Sequence, residues 1–209
     1  GQSDKYLQIN NLSEIYDIIH EDKKKYFAMS NLNGYVASYK DKTHLEILNT
    51  RVDSINLEGK LRVGFHRDIQ VTAVNYKGTL IDNLHIVSQV YVSALSLNKI
   101  NPNNRLDYEN LGKLILNQAY DMTLKLAYLN HVKHNRTDVS NKVFLTLVGG
   151  RSFENPKTWI SHAINRAIDK NKHLPLIVYI VFYSKYEVEY NLNKYPKISM
   201  SKFITQTHI

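Results

Sequence analysis

The sequence predicts an α/β domain whose mixed, mostly parallel sheet is flanked by helices. Three observations lead there. The runs Val143–Val148 and Leu176–Tyr183 are continuous, apolar and rich in β-branched residues, and the first has the character of a strand covered on both faces. Between them, Trp159, Ile160, Ala163, Ile164, Ala167 and Ile168 recur at the spacing of one helical face. A long helix-patterned segment precedes the first run, so strand, helix, strand, helix and strand alternate from Leu84 onward. That order favours right-handed parallel crossovers.

The elements follow in chain order. Ser13 suits a helix cap with Glu14 in the first turn, burying Ile15, Ile18 and Ile19 and ending near Lys25. Asn31–Gly34 reads as a turn. Leu45, Leu48, Val52 and Ile55 predict a second helix that stops at Gly59. Leu61–Val74 and Leu84–Leu95 read as strands separated by a turn at Lys77-Gly78. Asn101–Asn104 is a loop before the longest helix, about Asp107 to Val132. Its stripe of Leu111, Leu114, Ile115, Ala119, Met122, Leu126 and Leu129 is expected to pack on the sheet. Gly149 and Gly150 permit a sharp turn after the first apolar run. Asn155 then reads as a helix cap, with Pro156 in the first helical position. Leu176–Tyr183 is the last central strand. Residues 1–184 are read as one domain, and the charged, Tyr-rich residues 185–209 as a C-terminal extension or edge strand.

Composition narrows the possibilities. A chain of 209 residues with 43% hydrophobic content can bury a full single core. The absence of Cys rules out disulfides, a thiolate nucleophile and a Cys-based zinc site, and suits a reducing, intracellular compartment, cytoplasmic or nuclear. No apolar run approaches a membrane span and no signal-peptide pattern is visible, so no membrane partner is expected. The abundance of Asn, Lys, Ile and Tyr (15 Tyr) reads as the compositional bias of an AT-rich genome. A net charge of +8 favours acidic partners in principle. Yet Lys23-Lys24-Lys25 and Lys170, Lys172 and His173 fall at helix ends, where cations complement the dipole. With no Arg-rich tract and no RNA-binding motif, a solvated basic surface is the better reading, and nucleic acid is not the favoured partner.

The candidate site is the loop of Gly149, Gly150, Arg151, Ser152, Phe153 and Asn155. A strand that feeds a helix through glycines presents N–H groups and a positive dipole end, which suits a phosphate, while the competing reading of the same pattern is a βα unit that uses two glycines simply to turn. No Gly-Lys-Ser/Thr follows, and the dinucleotide fingerprint is absent. Phe153 is an aromatic in a polar loop with no obvious core to enter. Tyr91 and Ser93 lie at a strand end that, in an open α/β sheet, faces the ligand crevice, with core packing an equal reading for Tyr91. His66-Arg67-Asp68 matches a kinase tripeptide in letters only, because the companion motifs are missing. His131 and His134 share a helix face but lack a third ligand, so no metal site is expected. Ser161 and His162 are helical neighbours that point apart, so a hydrolase dyad is not supported. Asn135-Arg-Thr137 matches a glycosylation acceptor by chance.

The stretch from Val143 to Ile160 is similar to the late strand–loop–helix of macro domains, in which a Gly-rich loop and an aromatic wrap the diphosphate and distal ribose of ADP-ribose. More closely, Gly149–Asn155 resembles the loop of a divergent poly(ADP-ribose) glycohydrolase-like branch, roughly Gly-Gly-Gly-x-Phe-Gly-Asn. Further blocks fit that branch in order: Gly1-Gln2 with Gln8-Ile-Asn-Asn-Leu12, Val63–Thr72, Val87–Leu95 and Ile115–Leu124. Together they span most of the chain up to about Tyr183. The resemblance implies a macro-like three-layer fold that binds ADP-ribose or an ADP-ribosylated protein and hydrolyses an ADP-ribosyl bond without metal or cofactor. Asp68, near a strand end, is the one catalytic candidate, able to hold a ribose hydroxyl or a water; the competing reading is a surface or turn-capping Asp. Two positions depart from the branch. Arg151 replaces the third glycine and adds a charge-assisted contact to phosphate. Glu154 replaces the glycine before Asn155 and brings a negative charge to an anion site. The acidic catalytic segment of the branch, which precedes the Gly-Gln block, is not among these residues. The expectation is therefore the C-terminal part of an ADP-ribosyl hydrolase, inactive by itself. The alternatives are a diverged module without catalysis, or a basic scaffold binding nucleic acid or an acidic protein.

Overall fold

Residues 9–19, 50, 56–72, 85–182 and 201–205 are described by a computed structural model. In chain order they form α1 (Ser13–Ile19), β1 (Gly64–Gln70), β2 (Ile86–Tyr91), two 3-10 turns (Leu97–Lys99 and Pro102–Tyr108), α2 (Glu109–Lys133), β3 (Lys142–Thr146), α3 (Lys157–Lys170), β4 (Ile177–Phe182) and β5 (Ser201–Thr205). The expectations for residues 31–34, 45–49, 51–55 and 77–78, for Lys23–Lys25, and for the tail apart from β5 lie outside the described residues.

The chain is of mixed α/β character. β3, β4 and β5 form a parallel sheet with β4 in the centre, and β3–α3–β4 is a parallel crossover unit. β2 corrects the expected alternation. It pairs antiparallel with β1 in a separate two-stranded sheet and not with the parallel strands. The residues explain this: His66, Arg67, Asp68, Gln70, Ser88 and Gln89 are too polar for a sheet interior, and most are exposed.

β3 corrects a second expectation. Val143 and Leu145 are buried but Phe144 between them is 57% exposed, so only one face is covered. The apolar residue on the open face has a cross-strand partner instead. Phe144 pairs in register with Tyr179 of β4, and their rings stack at 4.9 Å and 15°. On the inner face, Val143, Leu145, Val178, Ile180 and Phe182 join one core with α2 and α3.

α3 buries the expected face: Trp159, Ile160, Ala163, Ile164 and Ala167 are all buried. α2 packs chiefly on α3 and less on the sheet, which rotates its buried stripe from the expected one. Leu111, Ile115 and Ala119 are buried as anticipated, with Leu116, Tyr120 and Leu124 added, while Leu129 is exposed. Close approach of the two helices rests on Gly112. A Cβ there would lie 2.8 Å from Cζ3 of Trp159. α2 begins at Glu109 rather than Asp107, because Asn101 accepts a bond from the Asn103 N–H and nucleates a 3-10 turn first. In α1, Ile15 is buried but Ile18 is exposed, and Ser13 is the first helical residue rather than the cap. The side chain of Asn10 accepts from the Leu12 N–H ahead of it. Among the described residues, no helix is long and apolar enough to cross a membrane.

Candidate functional site

The glycine loop starts where α2 ends β3. The buried Tyr120 donates its hydroxyl to the Thr146 carbonyl (2.8 Å) and accepts from the Val148 N–H (3.0 Å). The same Val148 N–H also donates to the Thr146 carbonyl at 3.0 Å, so the hydroxyl is built into the turn that ends the strand. Tyr120→Phe is expected to cost about 0.5–1.5 kcal/mol, because it removes two hydrogen bonds while the Val148 N–H and the Thr146 carbonyl keep their bond to each other. Denaturant unfolding checks this; a loss below a few tenths of a kcal/mol would remove Tyr120 from its role as the staple of the loop.

Past Val148, Gly149 adopts φ +78° and the Gly150 N–H closes onto the Leu147 carbonyl at 3.1 Å. Asn155 then ties the loop shut. Its N–H donates to the Gly149 carbonyl (2.9 Å), and its amide Nδ2 donates to the carbonyls of Leu95 (2.7 Å), Phe153 (3.3 Å) and Gly149 (3.4 Å). This corrects the expected cap. Pro156 takes the N-cap position of α3, its carbonyl accepting from Trp159 at 3.0 Å, and Asn155 turns inward as a 3% exposed clamp. The clamp brings Ala94 and Leu95, just past β2, against the loop.

Ser93 therefore neighbours the loop, exposed and donating to the Ala94 carbonyl at 3.1 Å. Tyr91 is exposed and turns to its own hairpin. Its hydroxyl donates to Gln89 Oε1 at 2.5 Å, and its ring meets His66 edge-on at 6.0 Å. Arg151 and Ser152 are exposed on the loop surface. Phe153 does find a core: it is half-buried against the hydrophobic cluster. Glu154 adopts φ +56°, a left-handed conformation that disfavours a Cβ. Its carboxylate pairs with Arg105 Nη2 at 2.5 Å. Arg105, on the 3-10 turn before α2, is a site residue that the sequence reading missed, since nothing local in Asn103–Asp107 marks it.

Asp68 lies elsewhere. It sits with φ +54° at an irregularity of the β1–β2 ladder, and its N–H donates to Ser88 Oγ at 3.2 Å. Its carboxylate receives Lys133 Nζ and His134 Nε2 (2.8 Å) at the end of α2. The hydrogen bond from Lys133, then that from His134, holds the carboxyl below the usual carboxylate range. At about 1.5 Å of rise per residue, Lys133 is about 20 Å along α2 from Tyr120, so Asp68 sits at the end of the helix while the residue that holds the glycine loop sits at its middle. Asp68 anchors the hairpin to α2 and is not brought to the loop. His131 is buried, with Nδ1 2.8 Å from Ser140 Oγ. Among the described residues, no group of three His, Asp or Glu side chains could hold a metal ion. Ser161 is buried and bonded to the Thr158 carbonyl, and His162 faces outward.

Comparison with protein-family models, with curated proteins and with solved structures finds no match to this chain.

Proposed function

We propose that this chain is a macro-like α/β domain that binds ADP-ribose and belongs to a hydrolase of ADP-ribosyl bonds. One observation carries the reading: the loop turns left-handed at Gly149 (φ +78°) and again at Glu154 (φ +56°). Position 154 is where the branch it resembles has glycine. A glutamate adopts that conformation at a cost, so the surrounding loop imposes it. The backbone thus follows a glycine pattern that the side chain no longer carries. In this reading the loop amides neutralise the diphosphate, while Ser93 and the half-buried ring of Phe153 border the distal ribose. The macro-like three-layer arrangement belongs to the same proposal, although Phe144 stands on an open face of β3. Asp68, at the far end of α2, has no part in it.

Calorimetry with ADP-ribose at two salt concentrations tests the reading. Saturable binding that is only modestly salt-sensitive is expected, and Arg151→Gly should weaken it by about tenfold or more through loss of a charge-assisted bond. Binding confined to single-stranded oligonucleotides, with a steep salt slope, would replace it with a basic nucleic-acid scaffold.

A further inference from the structure

Arg105 reaches the glycine loop from a different part of the chain and meets only one acceptor there. Glu154 Oε2 accepts from Nη2 at 2.5 Å, while Nε is buried with no hydrogen-bond partner among the described residues. Nη2 and Nε share one edge of the guanidinium, the edge that binds two oxygens of a carboxylate or phosphate side by side. The glutamate thus fills half of a two-pronged donor site. A buried N–H left unpaired is costly, which is unexpected for a pair whose sole purpose is stability. The pair is also half open to solvent, with side chains 30% and 49% exposed, so a solute has access to it.

Resting on the ADP-ribose reading of this loop, we infer that Arg105 is a second diphosphate-binding guanidinium of the site beside Arg151, and that Glu154 is an internal competitor for it. The backbone around Glu154 is fixed, its N–H donating to the Arg151 carbonyl at 2.9 Å and the next N–H to the Gly149 carbonyl at 2.9 Å. Exchange therefore requires only rotation of the Glu154 side chain. A phosphate group then takes both Nη2 and Nε, and the carboxylate swings to water. This accounts for an acidic residue on an anion loop: its charge is neutralised by Arg105 until a better acceptor arrives. It also selects for dianionic or diphosphate ligands over single carboxylates, which gain little over Glu154.

The test titrates inorganic pyrophosphate, and in parallel ADP-ribose, into the wild type, Glu154→Gln, Arg105→Gln and the double variant. Glu154→Gln should tighten pyrophosphate binding about three- to fivefold, the scale of a partly exposed ion pair. Arg105→Gln should weaken it about tenfold or more, and the double variant should resemble Arg105→Gln. Thermal unfolding shows whether Arg105→Gln folds. If it does not, Arg105→Lys keeps the charge but loses the paired donors, and should also weaken binding. Pyrophosphate behaving as described while ADP-ribose does not bind would uphold the Arg105 site and sink the ligand reading. ADP-ribose binding that neither substitution changes would leave the ligand reading in place and overturn the competitor role. A Glu154→Gln protein that is merely less stable, with unchanged pyrophosphate affinity, overturns it as well.

Discussion

Gly149→Ala is expected to destabilise the protein by about 3 kcal/mol or more, the sum of a left-handed non-glycine residue and an overpacked contact. The added Cβ would stand 2.4 Å from the Cβ of Ala94 and 2.9 Å from Asn155 Nδ2. Neither neighbour can yield easily. Ala94 is buried and has no flexible end to move, and the Asn155 amide is held by the Leu95 carbonyl at 2.7 Å. The φ of +78° adds strain that no repacking relieves. Gly150→Ala is the control. Its φ is outside the left-handed region, and its closest contacts are Cδ1 of Ile160 at 3.1 Å and the Leu147 carbonyl at 3.3 Å, neither as close as those at Gly149, so a cost of about 1–2 kcal/mol is expected. Denaturant unfolding of both variants checks the difference. Equal losses would mean that the turn, and not the Ala94 contact and the backbone angle, sets the cost.

What was legible in the sequence was local. The β3–α3–β4 unit came from two apolar runs and a helical periodicity, each contained within a few residues. The buried face of α3 followed directly, since its apolar positions recur on one side. The α2 stripe was only half right, because whether a helix packs on a sheet or on another helix is decided by elements far along the chain. The partner of β2 and the open face of β3 were invisible for the same reason. Apolar runs suggest burial, but Phe144 satisfies its ring against Tyr179 on the sheet surface. The loop shows the limit most clearly. Its glycines and its Asn155-Pro156 pair mark a turn followed by a helix, yet Asn155 serves the carbonyl of Leu95 sixty residues away and leaves the cap to Pro156. The charge of Glu154 could be read, but not its partner Arg105, because an ion pair across that separation has no sequence period. The sequence leaves Asp68 between a catalytic role and a surface or turn-capping one. Asp tolerates the left-handed region, and here it combines that conformation with a grip on the end of α2.

Asp121→Ala is expected to cost about 2–4 kcal/mol, more than any exposed charge in the fold, because it removes a buried carboxylate on which three donors converge. Asp121 is 6% exposed. Its Oδ2 accepts from Lys125 Nζ at 2.9 Å and Lys170 Nζ at 3.1 Å, and its Oδ1 from Asn171 Nδ2 at 2.7 Å. Asn171 is itself buried and caps α3, its N–H reaching the Ala167 carbonyl at 3.1 Å and its Nδ2 the same carbonyl at 2.8 Å. One carboxylate in the middle of α2 therefore fixes the end of α3, in addition to the contact that Gly112 and Trp159 make near the start of both helices. The two lysines are partly exposed and can recover water, which keeps the expected loss below that of a fully buried pair. Asp121→Asn preserves the shape and an acceptor for Asn171 while removing the charge, and should cost about half as much. Lys125→Ala removes only a half-exposed i, i+4 partner and should cost less than about 1 kcal/mol. Denaturant unfolding at low and high salt separates the cases. The Asp121→Ala loss should persist in high salt because the site is sheltered, whereas the Lys125→Ala loss should shrink. An Asp121→Ala protein no less stable than Lys125→Ala would show that the helices are held by apolar packing alone, with the carboxylate a bystander.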